Sequence, residues 1–543
     1  MSTPDLPPTR TVGVALVELL EQLGVEVVFG IPGSHNLPVF DGLARSSIRL
    51  VNPRHEQGAG FAADGYARAT GRPGVLVTTT GPGILNAATA LATAWADSVP
   101  VLAISTGARI ADEGHEVGWL HESKDQHASL AGLVTSLRPR SEERLYGDVV
   151  ETFARWQVAR TRPVHLDVPI DLLAAPATAP LPALPVLSPG AAPAGLVAEL
   201  AARLRSARSP MLVVGGGAVR ARAQVNRLAD LLGAPVATSR AAAGVLDQGA
   251  DAVPTTVLPY APERLADADL LLVLGSELSQ RDVPPAVAAS LPPVCRVDVE
   301  PGRLAHGRPG DLLVVADAAA TLDALLAVLE ADPPTPLADR WERQRGLADA
   351  VQANYDGPLR GLHDRLAAVL PDDVVLTGDS SQVSYLGTGV HYPFATPRSF
   401  LYPDGFAPLG YALPAAIGAC LAAPERTTVA LAGDGAFLFS LPELSVAVEE
   451  RLPLLYVVVE NGGYQEIEEE MVAASIEPVG VRFGYPDPVG LATAFGARGV
   501  RARTLDDLVA LVASFAGDRA GAGVPGPVVI AVHEDAVGDV AGR

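Results

Sequence analysis

Short apolar runs that stop at small residues constrain this chain more than any other feature: VEVVFGIPG, GVLVTTTGPG, PVLAIST, MLVVGGG, LLLVLGSE, TTVALAGDG and LLYVVVENGG. Longer Ala/Leu-rich segments of helical period lie between them. A strand that is apolar at every position has no face for water, so it belongs in a parallel sheet covered on both sides. The handedness of such crossovers makes these doubly wound α/β domains, with ligands beyond the carboxyl ends of the strands.

A chain of 543 residues is too long for one core. AAPATAPLPALPVLSPGAAPAG (Ala174 to Gly195) and ADPPTPLAD (Ala331 to Asp339) read as linkers. Three α/β domains are therefore expected, at 8–175, 192–332 and 340–535. Forty basic against 62 acidic residues give a net charge of -22, which argues against nucleic acid or an anionic membrane as partner. Lys124 is the only lysine, so Schiff-base chemistry would rest on one residue. Cys295 and Cys420 have apolar neighbours and no metal-ligand spacing, as buried thiols do. MSTPDLPPTR has no apolar signal core and no run is long enough to span a membrane; a cytoplasmic location is expected.

Three motifs carry the chemistry. TTVALAGDG would deliver Asp434, between Gly433 and Gly435, to the carboxyl edge of its sheet, and LLYVVVENGG would deliver Asn461. On neighbouring strands a carboxylate, an amide oxygen and a backbone carbonyl near Gly463 make a hard-oxygen set suited to Mg2+, and the glycines admit a diphosphate. Asp-Gly alone is a common turn pair. In PRHEQGAGFAADGYARATGRPGV, Glu56 opens a small-residue helix, where burial would favour its protonated form and let it share a proton with a ring nitrogen; an ordinary N-terminal helix carboxylate is the alternative. Gly81-Pro82-Gly83 forms a strand-to-helix turn, either for packing or for close approach to a ligand.

In this order and spacing the motifs resemble the thiamine diphosphate-dependent enzymes of the acetolactate synthase and 2-oxo acid decarboxylase superfamily. The resemblance covers nearly the whole chain and implies a pyrimidine-binding, a central and a diphosphate-binding domain. It assigns Mg2+ to Asp434, Asn461 and the Gly463 carbonyl, and the aminopyrimidine ring to Glu56. In DGFAPLGYALPAAIGA it makes Leu409 the prop that bends the cofactor and gives Ala407 a backbone carbonyl that accepts from the cofactor's amino group. Gly81, Pro82, Asn86, Gly433, Gly435 and Tyr464 complete the implied cofactor set. A homodimer at least is implied, with a tetramer open, because Glu56 would reach a cofactor whose diphosphate the partner chain binds. One departure stands out: the family often has two asparagines where this chain reads Glu460-Asn461.

MLVVGGGAVRARAQ tempts a dinucleotide reading, but Arg220 stands at the third glycine of a frame starting at Gly215, so the fingerprint fails. FAD is neither required nor excluded. Ile170 and Asp125-Gln126 depart from acetolactate synthases, and Thr79 and Thr80 replace the histidines of pyruvate and benzoylformate decarboxylases. GIPGSHNLP, WLHESKDQ and GGYQEIEEEMVAASIEPVGV look most like 5-guanidino-2-oxopentanoate (2-ketoarginine) decarboxylases. That likeness implies ylide attack on the 2-oxo carbon, loss of CO2 and protonation of an enamine, with Ser34, His35, His121, Asp125, Gln126, Gln382, Glu466 and Glu470 near the substrate. Carboxylates there would suit a guanidinium, whereas Glu468 and Glu469 fall on other helix faces and read equally as solvated. Acetolactate synthase-type carboligation is the alternative. A catalytically silent assembly subunit would be expected to lack Glu56 or the metal ligands.

Overall fold

The computed structural model describes residues 10–249, 252–304, 307–357, 359–521 and 526–537. Its strands form three sheets, parallel throughout. The first contains β1 (Val27–Gly30), β2 (Arg49–Val51), β3 (Gly74–Thr78), β4 (Val101–Gly107), β5 (Thr135–Leu137) and β6 (Val164–Pro169), ordered β2-β1-β3-β4-β6-β5. The second contains β7 (Pro210–Val214), β8 (Val236–Thr238), β9 (Leu270–Leu274), β10 (Val294–Asp298) and β11 (Leu312–Val315), ordered β11-β10-β9-β7-β8. The third contains β12 (Val375–Gly378), β13 (Phe400–Leu401), β14 (Thr428–Gly433), β15 (Leu454–Glu460), β16 (Arg498–Ala502) and β17 (Val528–His533), ordered β13-β12-β14-β15-β17-β16.

Counted from its own first strand, the third sheet repeats the order of the first. In each of the three, the chain steps one way to the second strand and then crosses back to the third. The order therefore reverses at β1/β3, β7/β9 and β12/β14, where loops diverge and leave a crevice. Both faces are covered, as continuous apolar runs require. Along β7, Leu212 and Val214 enter one core and Met211 and Val213 another. Residues 178–193 carry no helix or strand.

The chain forms two compact units: residues up to 187 with 403–424 and 440–452, and 188–402 with 425–439 and from 453 onward. In the first unit the helix Glu56–Thr70 packs against the helix Ala412–Ala422 at backbone distance. A Cβ on Gly418 would lie 1.9 Å from the Ala62 carbonyl oxygen, and one on Gly65 2.3 Å from that of Ala415. Buried polar groups tie the same helices together: Tyr411 donates to Asp64 (2.6 Å), which Arg68 also meets (2.5 Å), and Arg68 reaches Asp97 (2.8 Å). Asp97 in turn accepts from the Gly405 N–H at 2.7 Å, fixing the loop that carries Ala407 and Leu409. Among the described residues no helix is long and apolar enough to cross a membrane. Cys295 and Cys420 are both buried, as expected.

Gly418→Ala tests the helix contact. In a helix interior Ala is favoured over Gly by about 1 kcal/mol, but the new methyl meets backbone that cannot move aside, at a cost of about 1–3 kcal/mol or more. A lower melting temperature is expected, and an unchanged or raised one would show that the helices can separate without loss.

Candidate active site

In the first unit, the loops leaving β1 to β4 supply every sequence-expected residue before Gln126. Asn36 shapes the first loop, accepting from the Gly33 N–H (2.8 Å) and donating to the Ile31 carbonyl (3.1 Å). His35 then lies 3.2 Å from the Thr80 hydroxyl and stacks edge-on with His121 at 5.5 Å between ring centroids. Burial, and after it the neighbouring His121, hold the His35 imidazole below its ordinary value. Ser34 is exposed.

Gly81 adopts a left-handed φ of 63°, and a Cβ there would sit 2.4 Å from the His121 carbonyl oxygen. That turn therefore needs glycine for both conformation and space. Glu56, the first residue of its helix, accepts from the Asn86 amide at 3.0 Å and lies 3.5 Å from where a Gly83 Cβ would be. The structure thus brings Glu56, Asn86 and the Gly81–Gly83 turn together. Glu56 itself is only half-buried; the carboxylate enclosed at this corner belongs to Glu443.

Gln126 and Asp125 behave differently from expectation. Gln126 is buried, and its hydrogen bonds serve the scaffold: it accepts from the Gly81 N–H (2.6 Å) and donates to Ser105 (3.0 Å), the Thr106 carbonyl (3.0 Å) and Asp167 (2.8 Å). It fixes the glycine turn from beneath. Asp125 caps the following helix, accepting from the Ala128 N–H at 2.9 Å with Arg138 3.9 Å away. Its acidity reflects a helix start. Two buried atoms at this edge, Thr79 Oγ1 and His121 Nδ1, have no protein partner among the described residues. Such atoms suit a ligand.

In the second unit β14 and β15 are neighbours, as the Asp434/Asn461 pairing required. Asp434 is fully buried and opens a short helix. Its carboxylate accepts from the backbone N–H groups of Gly435 (2.7 Å), Asn461 (3.0 Å) and Gly462 (2.6 Å), so one side chain sets the turn after both strands. The Asn461 amide oxygen meets the Gly463 N–H at 3.3 Å, and the Tyr464 N–H bonds the Val481 carbonyl at 2.9 Å. A Cβ on Gly435 would strike the Tyr464 ring at 2.8 Å. From β12, Ser381 accepts from the Gly433 N–H (3.0 Å), while the buried Ser380 hydroxyl has no partner among the described residues. Glu460 is paired with Arg501, which also holds Asp487 at 2.6 Å, so the unusual acid has a cationic partner in place.

Gln382 donates to Glu466 (2.8 Å) and to Glu469 (3.2 Å), and Tyr385 hydrogen-bonds Glu466. After burial, that contact is the next cause raising the Tyr385 phenol above its ordinary value. Glu468 pairs instead with Arg482 at 2.5 Å, and Glu470 is exposed. Glu469, exposed like Glu470, joins Glu466 at the Gln382 amide because the helix Gln465–Ala473 brings i and i+3 to one side. Ala407 and Leu409 belong to the first unit; Ala407 has a left-handed φ of 50°, uncommon for a residue with a Cβ. Sequence reading missed Glu443 and Ser380, and left Glu469 open between a guanidinium contact and a solvated face. Ser380 follows a strand end in LTGDSSQ and was open to the same edge rule.

Family comparison decides what these edges belong to. The thiamine pyrophosphate enzyme N-terminal TPP binding domain matches residues 10–129, the central domain 197–325 and the C-terminal TPP binding domain 382–532. This chain is a thiamine pyrophosphate enzyme. The enzyme is 42% identical over 514 residues to the probable 2-ketoarginine decarboxylase AruI of Pseudomonas aeruginosa, covering 92% of this chain and 91% of that one. It is 33% identical over 535 residues to an acetolactate synthase of Mycobacterium bovis (92% and 84% covered), and 31% identical over 471 residues to the acetolactate synthase isozyme 1 large subunit of Escherichia coli (82% and 81% covered). The glycine cluster after β7 is used for packing: the Gly217 N–H bonds the Gly275 carbonyl at 3.0 Å, and a Cβ on Gly215 would meet that oxygen at 2.3 Å.

The Asp434 bonds give a prediction independent of any ligand. Asp434→Ala leaves three N–H groups without their acceptor, each charge-assisted bond being worth about 1.5–3 kcal/mol. Amide hydrogen exchange at Asn461 and Gly462 should accelerate by roughly tenfold or more; unaltered protection would mean that Val481 and Arg482 hold the turn alone.

Proposed function

We propose that the enzyme decarboxylates 5-guanidino-2-oxopentanoate to 4-guanidinobutanal and CO2, with thiamine diphosphate and Mg2+. The observation that carries the substrate is the Gln382 amide shared by Glu466 and Glu469. A planar N–H2 group shared by two carboxylates is the kind of donor that a guanidinium edge also presents, and a guanidinium offers more donors in the same plane. The name of the Pseudomonas relative supports the same substrate.

The residues present fit the cofactor. Asp434, Asn461 and the Gly463 carbonyl supply a single carboxylate with two neutral oxygens, a set that leaves positions for water and phosphate as Mg2+ prefers. Among the described residues there is no cluster of three His, Cys, Asp or Glu side chains able to cage a metal alone, so phosphate oxygens would complete the shell. The unpartnered Ser380 hydroxyl offers a donor to phosphate. When bound, thiamine diphosphate supplies the electron sink for loss of CO2. Glu56, whose carboxylate accepts from Asn86, would hydrogen-bond the pyrimidine ring nitrogen, Leu409 would pack against the cofactor, and the Ala407 carbonyl would accept from its amino group. Thr79 and His121 present the free hydrogen-bonding atoms at that edge. By the same resemblance the enzyme works as at least a homodimer, with Glu56 serving a cofactor whose diphosphate is held by the other subunit.

Decarboxylation assayed across pyruvate, benzoylformate and 2-ketoarginine is expected to favour 2-ketoarginine; acetolactate formed from pyruvate as the main product would replace this reading with carboligation. Glu466→Gln should raise KM for 2-ketoarginine about 10- to 100-fold, the worth of one charge-assisted bond, and leave turnover of an uncharged 2-oxo acid unchanged. Glu56→Gln should keep thiamine diphosphate uptake by calorimetry while turnover falls about 100-fold or more, and full turnover would remove Glu56 from proton transfer.

A further inference from the structure

Beside Glu56 the structure encloses a second carboxyl that the reaction as described does not use. Glu443 is 2% exposed. It accepts from the Arg54 N–H at 3.1 and 3.3 Å and from the His55 N–H at 2.9 Å, the two residues that lead into Glu56. His55 caps the helix by accepting from the Gln57 N–H at 3.1 Å. Gly58 makes room, since a Cβ there would stand 2.5 Å from the Glu443 carboxyl carbon and oxygen. Around this contact Arg54 pairs with Glu449 and Arg49 with Glu450 at 2.5 Å.

We propose that Glu443 is a positioning residue for Glu56: it clamps the two N–H groups that lead into the Glu56 helix, and its charge governs the site that Glu56 serves. The inference rests on the reading of Glu56 as the proton-holding group. A carboxylate at a helix entrance is favoured by the helix dipole and by unsatisfied N–H groups, and with Glu→Ala both donors would lose their acceptor. Charge matters as well as contact. Burial raises the Glu443 carboxyl to about 7, outweighing the Arg54 and His55 N–H groups and the Arg54 cation that favour ionisation, and Glu56 adds to the rise by like-charge repulsion. Arg54, His55 and Glu56 face it from the helix entrance; Glu449 and Glu450 on its own segment face Arg54 and Arg49. Near neutral pH Glu443 therefore changes charge next to the reacting carboxyl.

The sign for stability follows directly. A carboxyl raised in the folded state binds its proton more tightly there, so its contribution is present at low pH and is lost as pH rises from about 4.5 through about 7. Glu443→Gln keeps an oxygen acceptor for both N–H groups and removes the titration. Two measurements on the full chain test the proposal. In the first, melting temperature is followed against pH without substrate or cofactor. The wild type should lose ground relative to Glu443→Gln as pH rises from about 4.5 to about 7, and curves parallel over that interval would overturn the ionisable clamp. In the second, the pH profile of kcat/KM for 2-oxo acid decarboxylation is compared. The wild type should show an inflection near neutral pH that Glu443→Gln lacks, whereas a purely structural residue would lower the rate alike at every pH. Identical profiles would overturn the coupling to Glu56. Gly58→Ala, which crowds the carboxyl without altering it, should displace the same inflection and serves if the glutamine variant fails to fold. If the wild type decarboxylates no 2-oxo acid, the reading of the reaction fails, while the melting curves still decide the clamp.

Discussion

A parallel strand delivers its polar end to one edge of the sheet, and everything this chain does chemically follows from that constraint. The loops after β1 to β4 gather His35, Glu56, Gly81 and Gln126, and those after β12, β14 and β15 gather Ser380, Asp434 and Asn461. Reversal of strand order between the first and third strands of each sheet opens the crevice that the loops line. Asp434 shows how tightly backbone and chemistry are joined. Three N–H groups from two strand ends converge on its carboxylate, so one side chain shapes the turns after both strands.

Glycine sets the distances. Gly81 lets a turn lie against the His121 backbone, Gly435 lets the Tyr464 ring approach, and Gly58 lets the Glu443 carboxyl enter a helix mouth. Each is a place where one methyl group would displace a functional neighbour. The buried set Asp64, Arg68, Asp97 and Tyr411 serves a related purpose, since through Asp97 it reaches the loop that holds Ala407.

Much of this was legible in the sequence because it is local. VVFG, GVLVT, TVALAG and LLYVVVE read as buried parallel strands from composition alone, and their glycine-rich ends mark the reactive edge. What was not legible depends on partners distant in the chain. Asp125 looked like a cation site by its charge, but a capping role is decided by the N–H three residues on. Gln126 looked like a substrate contact and proved to brace Gly81, because its partners come from three other segments. Glu460 looked unexplained until Arg501, forty-one residues away, was found beside it. Glu443 lies in SLPELSVA, which reads as plain helix; only the fold places it at Arg54.

The shared strand order of the first and third sheets has a consequence for how such a catalyst can change. Two frames of equal connectivity carry unlike residues at matching loops: the Gly81–Gly83 turn against Asp434 after the third strand, and Gln126 against Asn461 after the fourth. Grafting another helix in place of Gln465–Ala473 would therefore leave the Glu56–Asn86 pair, carried by the other frame, untouched.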